Sequence, residues 1–355
     1  EVIDGQEGLD LYQATVTDVI TNGKMIAGVK MDTGREVGAR AVILAAGTFL
    51  NGLIHIGMKS FSAGRAGEFS SRDLSRSLRQ LGFQGGRLKT GTPPRVDGKS
   101  VDFSAMERQQ GEEPPVAFSF ATRLIERKQR DVYLAYTNPA AHELLSAHMD
   151  QSPLYSGRIT GTGARYCPSI EDKIVRFSGR DRHQLFLEPE GEGVDEYYVN
   201  GFATSLPEEV QIEALRQARG MEEVLFTRPG YAIEYDYFDP RQLTLSLESK
   251  KVAGLYLAGQ INGTSGYEEA AAQGLMAGIN AVRKLAGEEA CVVDRSQAYL
   301  GVLIDDLVTK GTREPYRLFT SRAEYRLLLR QDNADLRLSE KGADMGLLPR
   351  WRWDR

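Results

Sequence analysis

Polar and apolar positions alternate over the first forty residues and then give way to continuous apolar runs. QATVTDVIT (13–21) reads as a strand, Asn22-Gly23 as a hairpin signal, MIAGVKM (25–31) as a second strand and Asp32-Thr33-Gly34 as a further turn. Residues 11–46 therefore predict a small antiparallel meander. AVILAAG (41–47) is different in kind: an apolar run that ends in small residues, the pattern of a strand buried on both faces of a parallel sheet. GLYLAGQ (254–260) repeats it, again ending in Ala-Gly. The stretch 261–287 that follows makes a glycine turn and then a helix. Glu268 and Glu269 fall in its first turn, where they favour the helix dipole. Ala270, Gly274, Ala277, Gly278 and Ala281 recur at helical spacing and predict a smooth stripe for close packing.

Between these two runs the pattern is less regular. SSRDLSRSLRQLG (70–82) predicts a helix with Leu74, Leu78 and Leu81 on one face. GGRLKTGTPPRV (85–96) reads as a Gly/Pro/Thr loop and GEEPPV (111–116) as surface linker. NPAAHELLSAHMD (138–150) and residues 207–225 read as helical, whereas KIVRF and HQLFLEP flank SGRDR as a hairpin. From residue 296 onward the pattern is helical and arginine-rich. No internal repeat or low-complexity tract interrupts it.

Composition narrows the class. The chain of 355 residues is 41% hydrophobic and 26% charged, ordinary values for a globular protein with more than one domain. No window approaches 18 consecutive apolar residues, so no membrane span is expected. The opening EVIDGQEGLD lacks the basic and apolar regions of a signal peptide. The two cysteines, Cys167 and Cys291, lie far apart, which argues against a disulfide scaffold and suits a reducing cytoplasm. Four histidines in no ligand-like spacing give no zinc site. The net charge of −5 excludes a basic protein as a whole but not a basic patch.

Four stretches could carry chemistry. The strand ends LAAG and LAGQ, each leading toward a glycine turn, suggest two edges of one dinucleotide crevice, although a bare strand–turn–helix also packs without a ligand. The GxGxxG that opens such a fold is absent, so that unit is expected upstream. Residues 309–330 concentrate charge: six Lys/Arg against two Glu between Lys310 and Arg330, with Tyr316, Phe319 and Tyr325 interleaved. Arginines with aromatics suit phosphates and exposed bases, but Arg322 and Arg326 flanking Glu324 also fit a salt-bridged helical surface. KTGTPPR (89–95) offers hydroxyls, backbone N–H groups, Lys89 and Arg95 to an anion, or is a rigid surface turn. RYCPSIEDK (165–173) places Cys167 before Pro168, with Ser169 and Asp172 in the spacing of a helix start and with Arg165 and Lys173 nearby. Each feature favours a thiolate over a buried, inert cysteine, while Cys291 among acidic neighbours reads as inert.

On AVILAAGTFLNGLIHIG, GRLKTGTPPR, RYCPSIEDK, QLFLEPEG, RPGYAIEYDYFDPR, GLYLAGQINGTSGYEEAAAQG and the long stretch 299–338, the chain resembles the GidA/MnmG family, FAD-dependent tRNA uridine 5-carboxymethylaminomethyl modification enzymes. Residues 104–150 match loosely. The resemblance implies an α/β fold: an FAD-binding, glutathione-reductase-type Rossmann-like domain with a large inserted α+β domain and the start of a C-terminal helical domain. The implied boundaries are 1–60 for the first part of the FAD domain, 61–244 for the inserted NADH and substrate region, 245–295 for the last FAD-domain strand and helix, and 296–355 for a helical region that meets tRNA and a partner. The family's N-terminal phosphate loop, its other cysteine and most of its C-terminal domain are expected outside this chain.

The resemblance also implies function. Such proteins modify the wobble uridine of tRNA at C5 with FAD, NADH, a carbon from methylene-tetrahydrofolate and glycine or ammonium as nitrogen donor, together with an MnmE-type GTPase, as a cytoplasmic homodimer. It assigns nicotinamide binding to Gly163, Ala164, Arg165, Tyr166, Cys167, Pro168, Ser169, Ile170, Glu171, Asp172, Lys173, Ile174, Val175, Arg176 and Phe177. It assigns FAD contacts to Gly259 and Gln260 and, more loosely, to Val16 and Ser71. Cys167 is the implied catalytic thiol, with the family's second cysteine as the alternative nucleophile. Arg313, Arg317, Arg322 and Arg326 are the expected RNA contacts. The rival readings are a folate- and FAD-dependent tRNA uracil methyltransferase and a non-catalytic RNA-binding subunit, which would carry no flavin.

Overall fold

The computed structural model describes residues 3–166 and 168–354. The predicted meander is present as three antiparallel strands, Val16–Asn22, Met25–Met31 and Glu36–Gly38. The two apolar runs meet as a parallel pair, Val42–Leu44 against Leu255–Leu257. Leu255, Tyr256 and Leu257 are all buried. Ile43, expected inside, is 39% exposed, because within the described residues this sheet has two strands and leaves that face open.

Two large hydrophobic cores hold most of the buried apolar residues, with smaller clusters around Ile54, Val302 and Leu303. One gathers Val19 and Ile26 of the meander, Leu74 and Leu78 of the helix Arg72–Gln80, the Leu255–Ala258 run, and Met276, Ala277 and Ala281 of the helix Tyr267–Ala286. The other lies between a six-stranded antiparallel sheet and the helices Pro139–Ala147, Ile170–Arg176 and Glu208–Leu215. That sheet runs in the order Phe226–Arg228, Arg95–Asp97, Glu196–Asn200, Gln184–Pro189, Val132–Tyr136, Glu107–Gln109. Among the described residues no helix is long and apolar enough to cross a membrane.

Several sequence expectations fail for identifiable reasons. GGRLKTGT is not a loop but the strand Gly85–Thr92, paired along its length with Tyr231–Phe238. Its glycines serve close approach: a Cβ on Gly85 would lie 1.9 Å from the Tyr237 carbonyl oxygen. Tertiary pairing here overrides a loop-like composition. KIVRF belongs to the helix Ile170–Arg176 and not to a hairpin; Gln184–Pro189 pairs with Glu196–Asn200 instead. The helix start at Ser169 decides this, since its hydroxyl accepts the Asp172 N–H at 3.2 Å. The small-residue stripe is only half used: Ala277 and Ala281 are buried, but no described atom lies within 4 Å of a Cβ built on Gly274 or Gly278. The packing face instead carries Gln273, Met276 and Asn280. Residues 311–333 are irregular and not helical, with single 3₁₀ turns at Thr320–Arg322 and Gln331–Asn333.

A five-stranded sheet joins the two cores, in the order Thr162–Gly163, Gly85–Thr92, Tyr231–Phe238, Leu53–Ile56, Lys59–Ser62. Its central strand, YAIEYDYF, is almost wholly buried and carries two carboxylates on one face. Asp236 accepts from Ser75 Oγ at 2.6 Å and pairs with Arg87 at 2.8 Å and Arg79 at 3.1 Å. Glu234, 3% exposed, accepts from His55 Nε2 at 2.9 Å, from the Thr160 N–H at 2.9 Å and from the Gly161 N–H at 2.7 Å. Burial alone would raise its pKa. The His55 bond, the two backbone N–H groups and Arg87 outweigh that and hold it at about 2.

Glu234→Gln replaces a carboxylate that accepts four bonds, the fourth from Thr160 Oγ1 at 3.2 Å, with a group that turns an amide N–H toward other donors. We expect it to destabilise the protein by about 3–5 kcal/mol at neutral pH, as for a broken buried pair. The folded carboxyl lies at about 2 against an ordinary 4.5, so its contribution is complete above pH 4.5 and fades as the pH falls toward 2. Denaturant unfolding at pH 7 and pH 3 should show the gap between wild type and variant narrowing in acid. A gap independent of pH would contradict the assignment.

Candidate functional site

The central strand has a second face. Tyr231, Tyr235 and Tyr237 point away from the carboxylates, and each hydroxyl reaches a different loop. Tyr231 accepts the Ala66 N–H at 3.2 Å, Tyr235 accepts from Gln260 Nε2 at 3.4 Å, and Tyr237 donates to the Thr312 carbonyl at 3.1 Å. Burial pushes the Tyr235 hydroxyl up to about 12, so it stays protonated at working pH. One strand therefore ties together the loop after Leu257, the loop before Ser71 and the start of the arginine-rich segment.

Three clefts of about 480, 780 and 490 Å³ open around this strand. The first lies between Lys89–Gly91, the segment 162–165 and the helix Ile170–Arg176. The second lies between Gln260, Ser265–Tyr267 and the edge of the six-stranded sheet at Arg95, Tyr198 and Asn200. The third lies between Tyr166 and residues 310–317. The first and second share Thr90, Gly91 and Tyr231; the first and third share Thr162 and Glu314. The three clefts are neighbours, the second and third each bordering the first across these shared residues.

The second cleft has the chemistry of a cofactor wall. Gly259 takes φ +84°, and a Cβ there would meet Ala270 Cβ at 3.3 Å, so the turn and the helix approach closely. The 20-residue helix Tyr267–Ala286 begins at Gly266 beside the cleft with no side-chain cap hydrogen bond, and the Glu269 carboxylate folds back against Gly266. Ser265 Oγ is buried there with no hydrogen-bond partner. Gln260 Oε1 lies 3.5 Å from where a Gly47 Cβ would stand, so its amide lies against the LAAG end. A flat heterocycle with a hydrogen-bonding edge fits these residues.

The residues expected at the site divide. Gly259 and Gln260 open the 3₁₀ turn that follows the buried strand, and Gln260 lines the second cleft. Val16 and Ser71 touch each other, Ser71 Oγ donating to the Val16 carbonyl at 2.7 Å, but line none of the three clefts. From the 163–177 block, Gly163, Ala164, Arg165, Ser169, Asp172, Val175 and Arg176 line the first cleft. Helical periodicity takes the others elsewhere. Ile170 and Ile174 enter the second core, and Glu171 is fully buried, accepting the Ser205 N–H at 2.9 Å. Lys173 donates to the Gly201 carbonyl at 2.7 Å, Phe177 is exposed under Arg180, and Pro168 is half-buried. Tyr166 lines the third cleft and meets Phe319 edge-on, with ring centroids 4.8 Å apart. Cys167 lies outside the described residues.

The arginines divide too. Arg322 does not pair with Glu324. It stacks on Tyr316, 4.4 Å from guanidinium to ring centroid, and donates to the Arg317 carbonyl at 2.8 Å. Arg317 itself reaches Glu269 at 3.3 Å. Glu324 pairs with Arg295 at 2.8 Å. Arg313, Arg317 and Arg322 all line the third cleft, whereas Arg326 is exposed outside it. Behind them sits Asp306, 2% exposed, taking Lys310, Tyr316 and Arg295 at 2.6, 2.9 and 2.8 Å. Burial would raise its pKa, but these three donors hold it low, and burial together with the Asp306 carboxylate pushes the Tyr316 hydroxyl up. Sequence reasoning missed Glu234, Asp236 and Asp306. Two carboxylates in alternation within an otherwise apolar eight-residue run were the legible sign.

The family profile described as Glucose inhibited division protein A matches residues 1–289. The tRNA uridine 5-carboxymethylaminomethyl modification enzyme MnmG of Thermodesulfovibrio yellowstonii is 56% identical over 348 residues, 98% of this chain and 56% of that protein. Its counterpart in Geobacter sulfurreducens is 57% identical over 347 residues, 98% of this chain and 55% of that protein. The structure of Aquifex aeolicus GidA in its form I crystal superimposes with a TM-score of 0.93 at 49% identity, covering 99% of this chain and 60% of that one. The chain thus spans little more than half the length of these relatives, and over that span it belongs to the glucose inhibited division protein A family, GidA/MnmG.

Proposed function

We propose that the protein modifies the wobble uridine of tRNA at C5, adding a carboxymethylaminomethyl-type group. The observation that carries this reading is the adjacency of three clefts with chemically distinct walls: the start of the Tyr267–Ala286 helix with Gln260, the 163–176 segment, and the Arg313–Tyr316 side. The names of its relatives support the same reaction. In this reading Gln260, Gly259 and Ser265 hold FAD, which supplies hydride and electron transfer when bound. The first cleft holds NADH, with Arg165 contacting phosphate. The third cleft faces tRNA. The reading extends to a methylene-tetrahydrofolate carbon, an MnmE-type GTPase, a homodimer and a cytoplasmic location, which follow from the family resemblance.

Cys167 is the proposed nucleophile. Its thiolate adds to C6 of the uracil ring, which places negative charge at C5. C5 then attacks the one-carbon unit, carried as the iminium of glycine or ammonium, so that its C=N electron pair moves to nitrogen; loss of the C5 proton and of the thiolate restores the ring. The described neighbours suit this role: Tyr166 borders the tRNA-facing cleft, while Gly163–Arg165 border the first.

Three measurements check the reading. In cells lacking the resident family member, the full-length protein should restore the modified nucleoside by mass spectrometry. Its Cys167→Ser variant should not, while keeping its flavin absorbance. A wild type that restores nothing would overturn the function, and an active Ser variant would overturn the nucleophile.

Arg165→Ala should raise the NADH concentration that half-saturates flavin reduction by about three- to tenfold, roughly the loss of one charge-assisted contact. An unmoved half-saturation would remove Arg165 from the cofactor site.

Arg313 and Arg326 form no ion pair with any described carboxylate, unlike Arg317 and Arg322. Replacing both with Ala should leave the fold intact and reduce the salt slope of tRNA binding by about 1.5–2 units. An unchanged slope would move the RNA interface elsewhere.

A further inference from the structure

Lys89 is 8% exposed and lines the first cleft. Lysine is almost never buried without a partner, because the ammonium loses its hydration. Yet, its backbone ladder aside, the Lys89 ammonium pairs with no described residue. The pairing of the strands sharpens the contrast. Arg87, two residues away on the same face, stands opposite Asp236 and pairs with it at 2.8 Å. Lys89 stands opposite Glu234 in the same register, but that carboxylate is already taken by His55, Thr160 and Gly161. The opportunity for an internal ion pair is present and unused.

The surroundings say where the charge goes. Gly163 pairs with Lys89 across the parallel ladder, and a Cβ on Gly163 would lie 3.4 Å from Lys89 Cδ. The lysine stem therefore runs beside Gly163, at the wall of the first cleft. Thr90, Thr162, Thr204 and the guanidinium of Arg165 line the same space, as do Glu314 and the Asp172–Arg176 pair, in which the carboxylate is met by its own guanidinium at 3.3 Å. A largely enclosed lysine whose ammonium has no internal partner, hydroxyl donors and an arginine in one cleft match an oxyanion that brings its own charge.

We infer that Lys89 is the buried anchor for the pyrophosphate of the nicotinamide dinucleotide in this cleft. The inference rests on the dinucleotide reading of the cleft, and it names a residue outside the 163–177 segment, on the strand beneath it. The ion pair missing inside the protein is completed by the ligand.

The test uses full-length, flavin-loaded protein with Lys89→Gln, Lys89→Met and Lys89→Arg. Met keeps the packing of the stem and Arg keeps the charge. Stopped-flow flavin reduction gives the half-saturating NADH, and calorimetry gives the affinity for inorganic pyrophosphate. The Gln and Met variants should raise half-saturation by about tenfold or more and lose pyrophosphate binding, with flavin content unchanged, while Arg should stay within about threefold of wild type. If NADH fails to reduce even the wild type, the dinucleotide reading falls; pyrophosphate bound by wild type but not by Lys89→Met would then still support the anion anchor. A folded Lys89→Met that matches wild type in both measurements overturns the inference.

Discussion

The geometry of the clefts depends on one buried carboxylate. Glu234 binds the imidazole of His55 on one side and the N–H groups of Thr160 and Gly161 on the other. That fixes the two residues just before Thr162–Gly163 in space, and the short parallel ladder to Leu88 and Lys89 does the rest. The segment that borders two of the three clefts is thus held by an interior charge and not by its own packing. Buried charges of this kind are costly to form and costly to break, which favours a single arrangement.

Asp306 repeats the device on the far side. It collects Lys310, Tyr316 and Arg295, while Glu269 at the first turn of the long helix accepts the Leu318 N–H at 3.0 Å and Arg317. An irregular, arginine-rich stretch is thereby fastened to the helix N-terminus that forms the proposed flavin wall. The arginines that do this fastening are the ones with aromatic or carboxylate partners. Those left over, Arg313 and Arg326, are the ones free to meet an external phosphate.

Local signals in the sequence were good guides where local physics decides the outcome. The Asn22-Gly23 hairpin, the capped start at Ser169 and the acidic first turn at Glu268 all read correctly because turn chemistry, capping and the helix dipole act over a few residues. Pairing across the chain was not legible in the same way. Nothing in GGRLKTGT announces a strand, since its partner lies about 150 positions away and the glycines that suggest a loop are what let Tyr237 and Phe238 approach. The same holds for the site. Gln260 could be placed from the strand-end pattern and family likeness, whereas the roles of Glu234, Asp306 and the isolated Lys89 follow from neighbours brought in by the fold. The 163–177 block illustrates the middle case: only the residues on one helical face and the preceding strand reach the cleft.

The central claim is that the three clefts work as one site. A structure of the full-length protein with FAD, NAD⁺ and tRNA bound tests it most directly. The account predicts the flavin against Gln260 and the start of the Tyr267–Ala286 helix, the dinucleotide phosphates beside Lys89 and Arg165, and the tRNA against the Arg313–Tyr316 side with its target base turned inward toward Tyr166. A tRNA bound on a surface that does not open onto these clefts, with the flavin out of reach of its target uridine, would contradict it.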